Sequence, residues 1–126
     1  MSDALPTLDA LKGELMHFAL AFPEAHEDHP WGEAVTKVRN KIFVFWGGAP
    51  TELAFSVKLP RSHGYALSLP YAKPTGYGLG KSGWVSFSIK DTAMIEPVLF
   101  KEWIDESYRA VAPKKLAALV NRTTIG

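Results

Sequence analysis

The glycine-rich, basic segment Lys73–Trp84 is the part of the sequence that most resembles a known ligand-binding motif. Its Gly78–Ser82 stretch reads Gly-Leu-Gly-Lys-Ser, like the end of a phosphate-binding P-loop. The full motif needs a glycine where Thr75 stands, a strand before it and a helix after it. A proline-containing segment precedes the stretch here and a strand pattern follows it. We therefore interpret the segment as a turn whose glycines permit positive φ, or as a basic loop that lets backbone amides and Lys81 approach an anion.

Two histidines with acidic neighbours stand in the run His26–His29. Zinc-binding metalloprotease helices place their histidines four residues apart with a glutamate between them, so that both imidazoles share a face. His26 and His29 are only three residues apart, and Pro30 follows. We interpret the run as a solvated acidic connector, and we expect neither a metal nor another cofactor.

The carboxylates near the C-terminus carry no catalytic pattern. Glu102, Asp105 and Glu106 fall on a predicted helix, where surface ion pairs Lys101–Asp105 and Asp105–Arg109 account for them. The chain has no cysteine, and no serine lies in a Gly-x-Ser-x-Gly elbow. No catalytic residue is assigned, and we expect a protein that is not an enzyme.

Composition bounds the architecture. The chain has 126 residues, 47% of them apolar, and a net charge of +1. Such a length predicts a single domain, residues 1–126, that can bury a core without disulfides or metals. No apolar run approaches the ~18 residues of a membrane span, and the first residues do not form a secretory signal. These features lead us to expect a cytoplasmic protein that does not bind membranes.

Hydrophobic periodicity predicts helices at both ends of the chain. The first runs from Leu8 to Phe22, with Thr7 as its N-cap. A polar connector, Glu24–Pro30, follows it. A later helix should hold Pro97 in its first turn and end before Pro113. Its predicted buried stripe comprises Ile95, Val98, Leu99 and Trp103, and that of a last short helix comprises Leu116, Leu119 and Val120.

Strand patterns occupy the middle of the chain. The predicted strands are Val35–Arg39, Lys41–Trp46, Leu53–Lys58 and Trp84–Ile89, with Asn40 as a left-handed turn residue. A short helix over Ser62–Leu69 and a loop over Lys73–Gly83 join the last two strands. This order predicts an α+β fold, an antiparallel sheet with helices packed on one face.

The opposite face of this sheet is the predicted binding surface. Strand alternation places Lys37 with Arg39, Ser56 with Lys58, and Trp84 with Ser86 and Ser88 on it. An exposed Trp84 among cations and hydroxyls suits phosphate contacts with base stacking. The alternative is that the Lys73–Gly83 loop covers Trp84. The predicted nucleic-acid or ligand contacts are Lys37, Arg39, Lys41, Lys58, Lys73, Tyr77, Lys81 and Trp84.

Several short motifs in one order resemble the MmcQ/YjbR family. They are Phe22–Ala25, Glu27–Gly32, Lys37–Phe43, Gly76–Val85 and Glu106–Leu116. The resemblance runs from about Leu8 to Leu119. It implies a CyaY-like α+β fold and DNA binding. The family commonly has glycine where Asn40 stands, and more basic residues where this chain has Lys81, Ser82 and Gly83.

Three functions remain open at this point. The first is a DNA-binding or other nucleic-acid-binding domain. The second is a protein-interaction or regulatory module that uses the same aromatic surface or an exposed hairpin at Trp46. The third is a binder of small anionic ligands that uses the glycine-rich loop.

Overall fold

Six strands and four helices occupy residues 7–48 and 50–123, which are the residues that the computed structural model describes. The helices are α1 (Leu8–Leu20), α2 (His63–Leu67), α3 (Pro97–Val111) and α4 (Lys114–Thr123). The strands are β1 (Ala25–Asp28), β2 (Val35–Val38), β3 (Lys41–Gly47), β4 (Leu53–Lys58), β5 (Ala72–Pro74) and β6 (Trp84–Ile89). Two short 3-10 turns cover Leu79–Ser82 and Thr92–Met94.

The strands form one antiparallel sheet in the spatial order β1-β2-β3-β4-β6-β5. Helices α1 and α3 contact each other and cover one face of this sheet. The predicted α+β fold with helices on one face is thereby confirmed. Aromatic rings fill the space between the two layers, with Phe87 stacked between Phe55 (4.9 Å between ring centroids) and Trp103 (5.1 Å).

Helix α1 begins where the sequence predicts and ends earlier. The Thr7 hydroxyl accepts a hydrogen bond from the Ala10 N–H (3.0 Å), which satisfies a donor of the first turn. The helix stops at Leu20 instead of Phe22. Phe22 directly precedes Pro23, and a residue in that position avoids helical dihedrals. Phe22 is nonetheless buried and stacks on Tyr108, with 4.6 Å between centroids.

Helix α3 begins at Pro97, so this proline lies in the first turn as predicted, and Ile95 and Trp103 of the predicted stripe are buried. Phe100, Trp103 and Ile104 recur at three- and four-residue spacing and are buried. Val98 lies out of phase with this spacing and is exposed, so the prediction that it belongs to the core was wrong. In α4, Leu119 is likewise exposed, although Leu116 and Val120 are buried.

The predicted connector and the predicted loop each contain an edge strand. The segment Glu24–Pro30 includes β1, which pairs with β2. The segment Lys73–Gly83 starts with part of β5, where Pro74 is tolerated because only one side of an edge strand pairs. The left-handed residue of the β2–β3 turn is Arg39 (φ 57°), one position before the predicted Asn40.

A β-bulge in β3 shapes the centre of the sheet. The register with β2 shifts between Thr36 and Lys37, and Phe43 has no partner there. Such an extra residue bends a strand and leaves backbone groups outside the ladder. The Ser107 hydroxyl of α3 meets this need: it donates to the Phe43 carbonyl (2.6 Å) and accepts from the Lys58 N–H (2.8 Å).

Glu106 ties α3 to the segment before α2. Its carboxylate is buried and accepts hydrogen bonds from the Arg61 N–H (2.8 Å), the Ser62 N–H (3.0 Å) and the Ser62 hydroxyl (2.6 Å). The prediction that Glu106 is a surface carboxylate was therefore wrong. Of the two predicted surface pairs on this helix, Asp105–Arg109 forms, whereas Lys101 pairs with Glu14 of α1 at 2.7 Å.

No helix in the described part of the chain combines the length and the apolar character that crossing a membrane requires.

Candidate binding groove on the open sheet face

The face of the sheet opposite α1 and α3 carries a row of side chains that crosses every strand. Register pairing aligns one residue from each strand, in the spatial order Asp28, Val35, Phe45, Ser56, Ser86 and Lys73. We call this side the open face. The row changes from an apolar ring at Phe45 to hydroxyls and then to an amine, so a ligand lying along it would meet different chemistry at its two ends.

A groove with two lobes runs over this row. The aromatic lobe has a volume of about 660 Å³, and the polar lobe about 630 Å³. Both fall within the range of ~300–1,000 Å³ that is typical of small-molecule sites. The lobes are continuous because Glu33, Phe45 and Ser56 line both of them.

Hydroxyl groups connect the strands along the floor of the groove. The Ser86 Oγ lies 2.7 Å from the Ser56 Oγ and 2.8 Å from the Thr75 Oγ1. Further along β6, the Ser88 hydroxyl donates to the Glu52 carboxylate (2.5 Å). Hydroxyls can reorient to donate or accept, so this floor can hydrogen-bond several kinds of polar ligand atom.

Two exposed aromatic residues stand over the aromatic lobe. Trp31, in the β1–β2 loop, is 72% exposed, and Tyr77, in the loop between β5 and β6, is fully exposed. The two loops belong to hairpins at opposite edges of the sheet. Within residues 7–48 and 50–120, no other aromatic ring contacts either of them. Large exposed rings that no other aromatic ring covers are available to a ligand.

Backbone conformation fixes the position of Tyr77. It has φ 59°, and Gly78 follows with φ 78°, so two successive left-handed residues turn the chain at this point. This conformation costs a non-glycine residue about 1–3 kcal/mol and is found preferentially at functional sites. Tyr77 is one of the predicted site residues, whereas Trp31 is not. The signal for Trp31 was its place between Pro30 and Gly32, which is typical of a turn.

Two more predicted site residues, Lys58 and Trp84, lie side by side on the open face. Trp84 is only 8% exposed, and its ring packs edge-on against Phe45 with 5.3 Å between centroids. Trp84 is therefore largely buried, and its ring packs beside Phe45, which lines the groove. Trp46 is buried too, and its Nε1 donates a hydrogen bond to the Thr36 hydroxyl. The prediction that the hairpin at Trp46 exposes this ring was therefore wrong.

Lys37 and Arg39 are paired with carboxylates. The Lys37 amine lies 3.2 Å from Asp28, and the Arg39 guanidinium reaches both oxygens of Glu24, at 2.6 and 3.3 Å. Hydrogen bonding to Arg39 lowers the pKa of Glu24. The His29 N–H and then Lys37 lower the pKa of Asp28. Because Arg39 follows the end of β2 and is left-handed, it does not continue the alternation that would place it beside Lys37.

The other predicted cations occupy separate positions. Lys73 lines the polar lobe. Lys41 is exposed at the start of β3, and Lys81 is exposed in the 3-10 turn after Gly78. The predicted cations are therefore spread from one edge of the sheet to the other, and two of them are paired with acids.

The histidine run lies on and just beyond β1. The His29 Nε2 is 2.9 Å from a Glu27 carboxylate oxygen, and the His26 Nδ1 is near the Glu24 carbonyl (3.3 Å). Among the described residues, no group of three or more His, Asp or Glu side chains is placed to hold a metal ion.

Comparison with known proteins identifies the family. A family model described as YjbR matches residues 20–110, which is most of the chain. The chain belongs to the YjbR family. Both hairpins that carry Trp31 and Tyr77, and the Glu106–Tyr108 segment of α3, lie inside the YjbR region.

A solved structure shares the YjbR fold. The crystal structure of the Deinococcus radiodurans protein DR2400, which contains a DUF419 domain, superimposes with a TM-score of 0.65 and 22% sequence identity. The match covers 94% of this chain and 87% of that chain. No curated protein matches the chain. These comparisons establish family and fold.

Proposed function

We propose that this protein is a binding module, without catalytic activity of its own, that holds an amphipathic ligand in the groove of the open face. The observation that carries the proposal is the placement of Trp31 and Tyr77. Both rings are exposed, both line the aromatic lobe, and they come from hairpins at opposite edges of the sheet.

The ligand should have a flat or apolar part and a polar part. Stacking against exposed rings favours a flat or apolar group in the aromatic lobe. The polar lobe offers the Ser86 hydroxyl, the Glu52 carboxylate and the Lys73 amine. Such a combination of apolar walls with a few placed polar groups is characteristic of small-molecule sites.

A thermal-shift screen tests this proposal. A collection of metabolites that carry rings, amines or phosphates is added to the protein, and ligands that bind the folded state raise Tm. For each hit, we expect Trp31→Ala and Tyr77→Ala to abolish the shift. Both side chains are exposed, so their loss should leave the fold intact. Tyr65→Ala is the matched control, because Tyr65 is an exposed tyrosine on α2 outside the groove. If hits persist in both groove variants, the ligand site lies elsewhere.

Nucleic-acid binding is a second candidate on the same face. It is favoured by Lys58 and Lys73, which lie on the open face with no ion pair among the described residues. In a nucleic-acid complex of this kind, the phosphates would contact the two lysines and a base would stack on Tyr77. The affinity for a labelled single-stranded oligonucleotide should then fall steeply between 50 and 200 mM salt. Lys73→Gln should reduce the salt slope, whereas salt-independent binding, or none at 50 mM salt, would exclude this candidate.

A further inference from the structure

The aromatic lobe has an electrostatic character of its own. Its lining includes three aromatic residues, Trp31, Phe45 and Tyr77, together with one carboxylate, Glu33. Among the residues that the structure describes, no lysine or arginine lines it. Lys73 lines the polar lobe and not this one.

This composition matches a positively charged ligand group. The face of an aromatic ring carries negative electrostatic potential and attracts a cation placed over it. Several rings around one position are the usual site for quaternary ammonium groups, whose positive charge is spread over methyl groups and carries no N–H to hydrogen-bond. The Glu33 carboxylate adds a full negative charge at the junction of the two lobes. The same carboxylate would repel a phosphate in this position.

We propose that the aromatic lobe binds the quaternary ammonium group of a small organic cation, with Trp31, Phe45 and Tyr77 around its methyl groups and Glu33 as counter-ion. This inference rests on the proposed function, because it names the ligand class of the same groove. The remainder of the ligand extends toward the Ser56 and Ser86 hydroxyls, and an anionic end would meet Lys73 in the polar lobe.

The exposed tryptophan provides a direct signal for the test. Of the four tryptophans, Trp46, Trp84 and Trp103 are at most 8% exposed, and Trp31 is 72% exposed. A ligand in the aromatic lobe should therefore change the long-wavelength part of the fluorescence. Titrations with choline and with 3,3-dimethylbutan-1-ol, its uncharged analogue of similar shape, separate recognition of charge from recognition of shape.

We expect choline to bind roughly tenfold more tightly than the alcohol, because the aromatic and carboxylate contacts act on the charge. Glu33→Gln should weaken choline binding about fivefold and leave alcohol binding unchanged. Glu102→Gln is the matched control, since Glu102 is an exposed carboxylate on α3, on the far side of the sheet. Tyr77→Ala should weaken choline binding at least as much as Glu33→Gln.

The outcomes separate this inference from the proposed function. Equal binding of choline and the alcohol, or no effect of Glu33→Gln, would overturn the cation assignment. If choline fails to bind while neutral or anionic hits from the thermal-shift screen depend on Tyr77, the assignment fails and the groove proposal stands. If no ligand of any charge depends on Trp31 or Tyr77, both fail.

Discussion

At the scale of single residues, three consecutive side chains of α3 attach it to three different parts of the fold. Glu106 binds the backbone before α2, Ser107 bridges β3 and β4, and the Tyr108 hydroxyl donates to the Pro23 carbonyl (2.8 Å). The Glu106–Leu116 motif that resembled the YjbR family therefore has a structural role at its start. It holds the bulged strand β3, and Phe45 on that strand belongs to the groove floor.

Replacing Ser107 by alanine should be costly. The change leaves the Phe43 carbonyl and the Lys58 N–H without their partner, and an unsatisfied buried polar group costs about 1–3 kcal/mol. We expect Ser107→Ala to lower the free energy of unfolding by about 2 kcal/mol or more, measured by urea denaturation. Ser68→Ala is the control, because its hydroxyl also donates to a carbonyl but is exposed; it should cost less than about 0.5 kcal/mol. Equal costs would contradict the anchoring role.

Two tyrosines allow a comparison in which only a hydroxyl is removed. The Tyr108 hydroxyl has a partner, whereas the Tyr71 hydroxyl is buried and has none among the described residues. Tyr108→Phe should therefore cost about 1 kcal/mol of unfolding free energy, and Tyr71→Phe should be neutral or slightly stabilising. Denaturant titration of both variants measures this. A loss above about 1 kcal/mol for Tyr71→Phe would show that its hydroxyl is hydrogen-bonded.

At the scale of elements, the polar edge strand β1 depends on ion pairs. Glu24 precedes this strand and Asp28 ends it, and they pair with Arg39 and Lys37 of the neighbouring hairpin. Both carboxylates have pKa values lowered from their ordinary 4.5 and 3.8. A lowered pKa in the folded state means that the stabilisation is present above the unfolded value and is lost as pH falls through the folded value. Acid should therefore loosen β1, by a modest amount because these pairs are exposed.

The pH prediction can be measured at β1 itself. We expect NMR titration of the Glu24 and Asp28 carboxyl carbons to give midpoints below 4.5 and 3.8. Amide exchange in β1 should accelerate in acid more than in β4, after correction for the pH dependence of exchange itself. The Glu24→Gln variant loses the ion pair with Arg39, so this acceleration should be smaller in it. The Glu14→Gln variant is the control: Glu14 pairs with Lys101 on α3, away from β1, so the acceleration should be unchanged. Carboxyl midpoints at or above the ordinary values would contradict the account.

The sequence predicted the elements that have regular apolar patterns. Strands β4 and β6 have the predicted bounds, because their apolar residues alternate along the chain. Strands β1 and β5 lack such a pattern, since an edge strand of four or three residues can be polar or contain proline. Glu106 could not be recognised as buried, because an acidic residue in a helix ordinarily lies at the surface and its partners are 44 and 45 positions away.

At the scale of the whole molecule, the candidate site depends on the topology of the sheet. The β1–β2 hairpin lies at one edge and the β5–β6 hairpin at the other, and each brings one exposed ring to the same face. Sequence alternation identified the face, as Ser56, Ser86 and Lys58 show. It could not place Trp31, because nothing in a local pattern tells which loops will meet over a sheet. Nor could it show that Lys37 and Arg39 pair with acids from the preceding segment.

An amide NMR titration with the ligand that raises Tm most in the thermal-shift screen shows where on the protein that ligand binds. The groove account predicts that the largest shifts occur at the Trp31 indole N–H and at the amides of Tyr77, Ser56, Ser86 and Lys73. The same ligand should leave the spectrum of the Trp31→Ala, Tyr77→Ala double variant unchanged. Shifts concentrated on α1 and α3, with these five signals unmoved, would contradict a binding site on the open face.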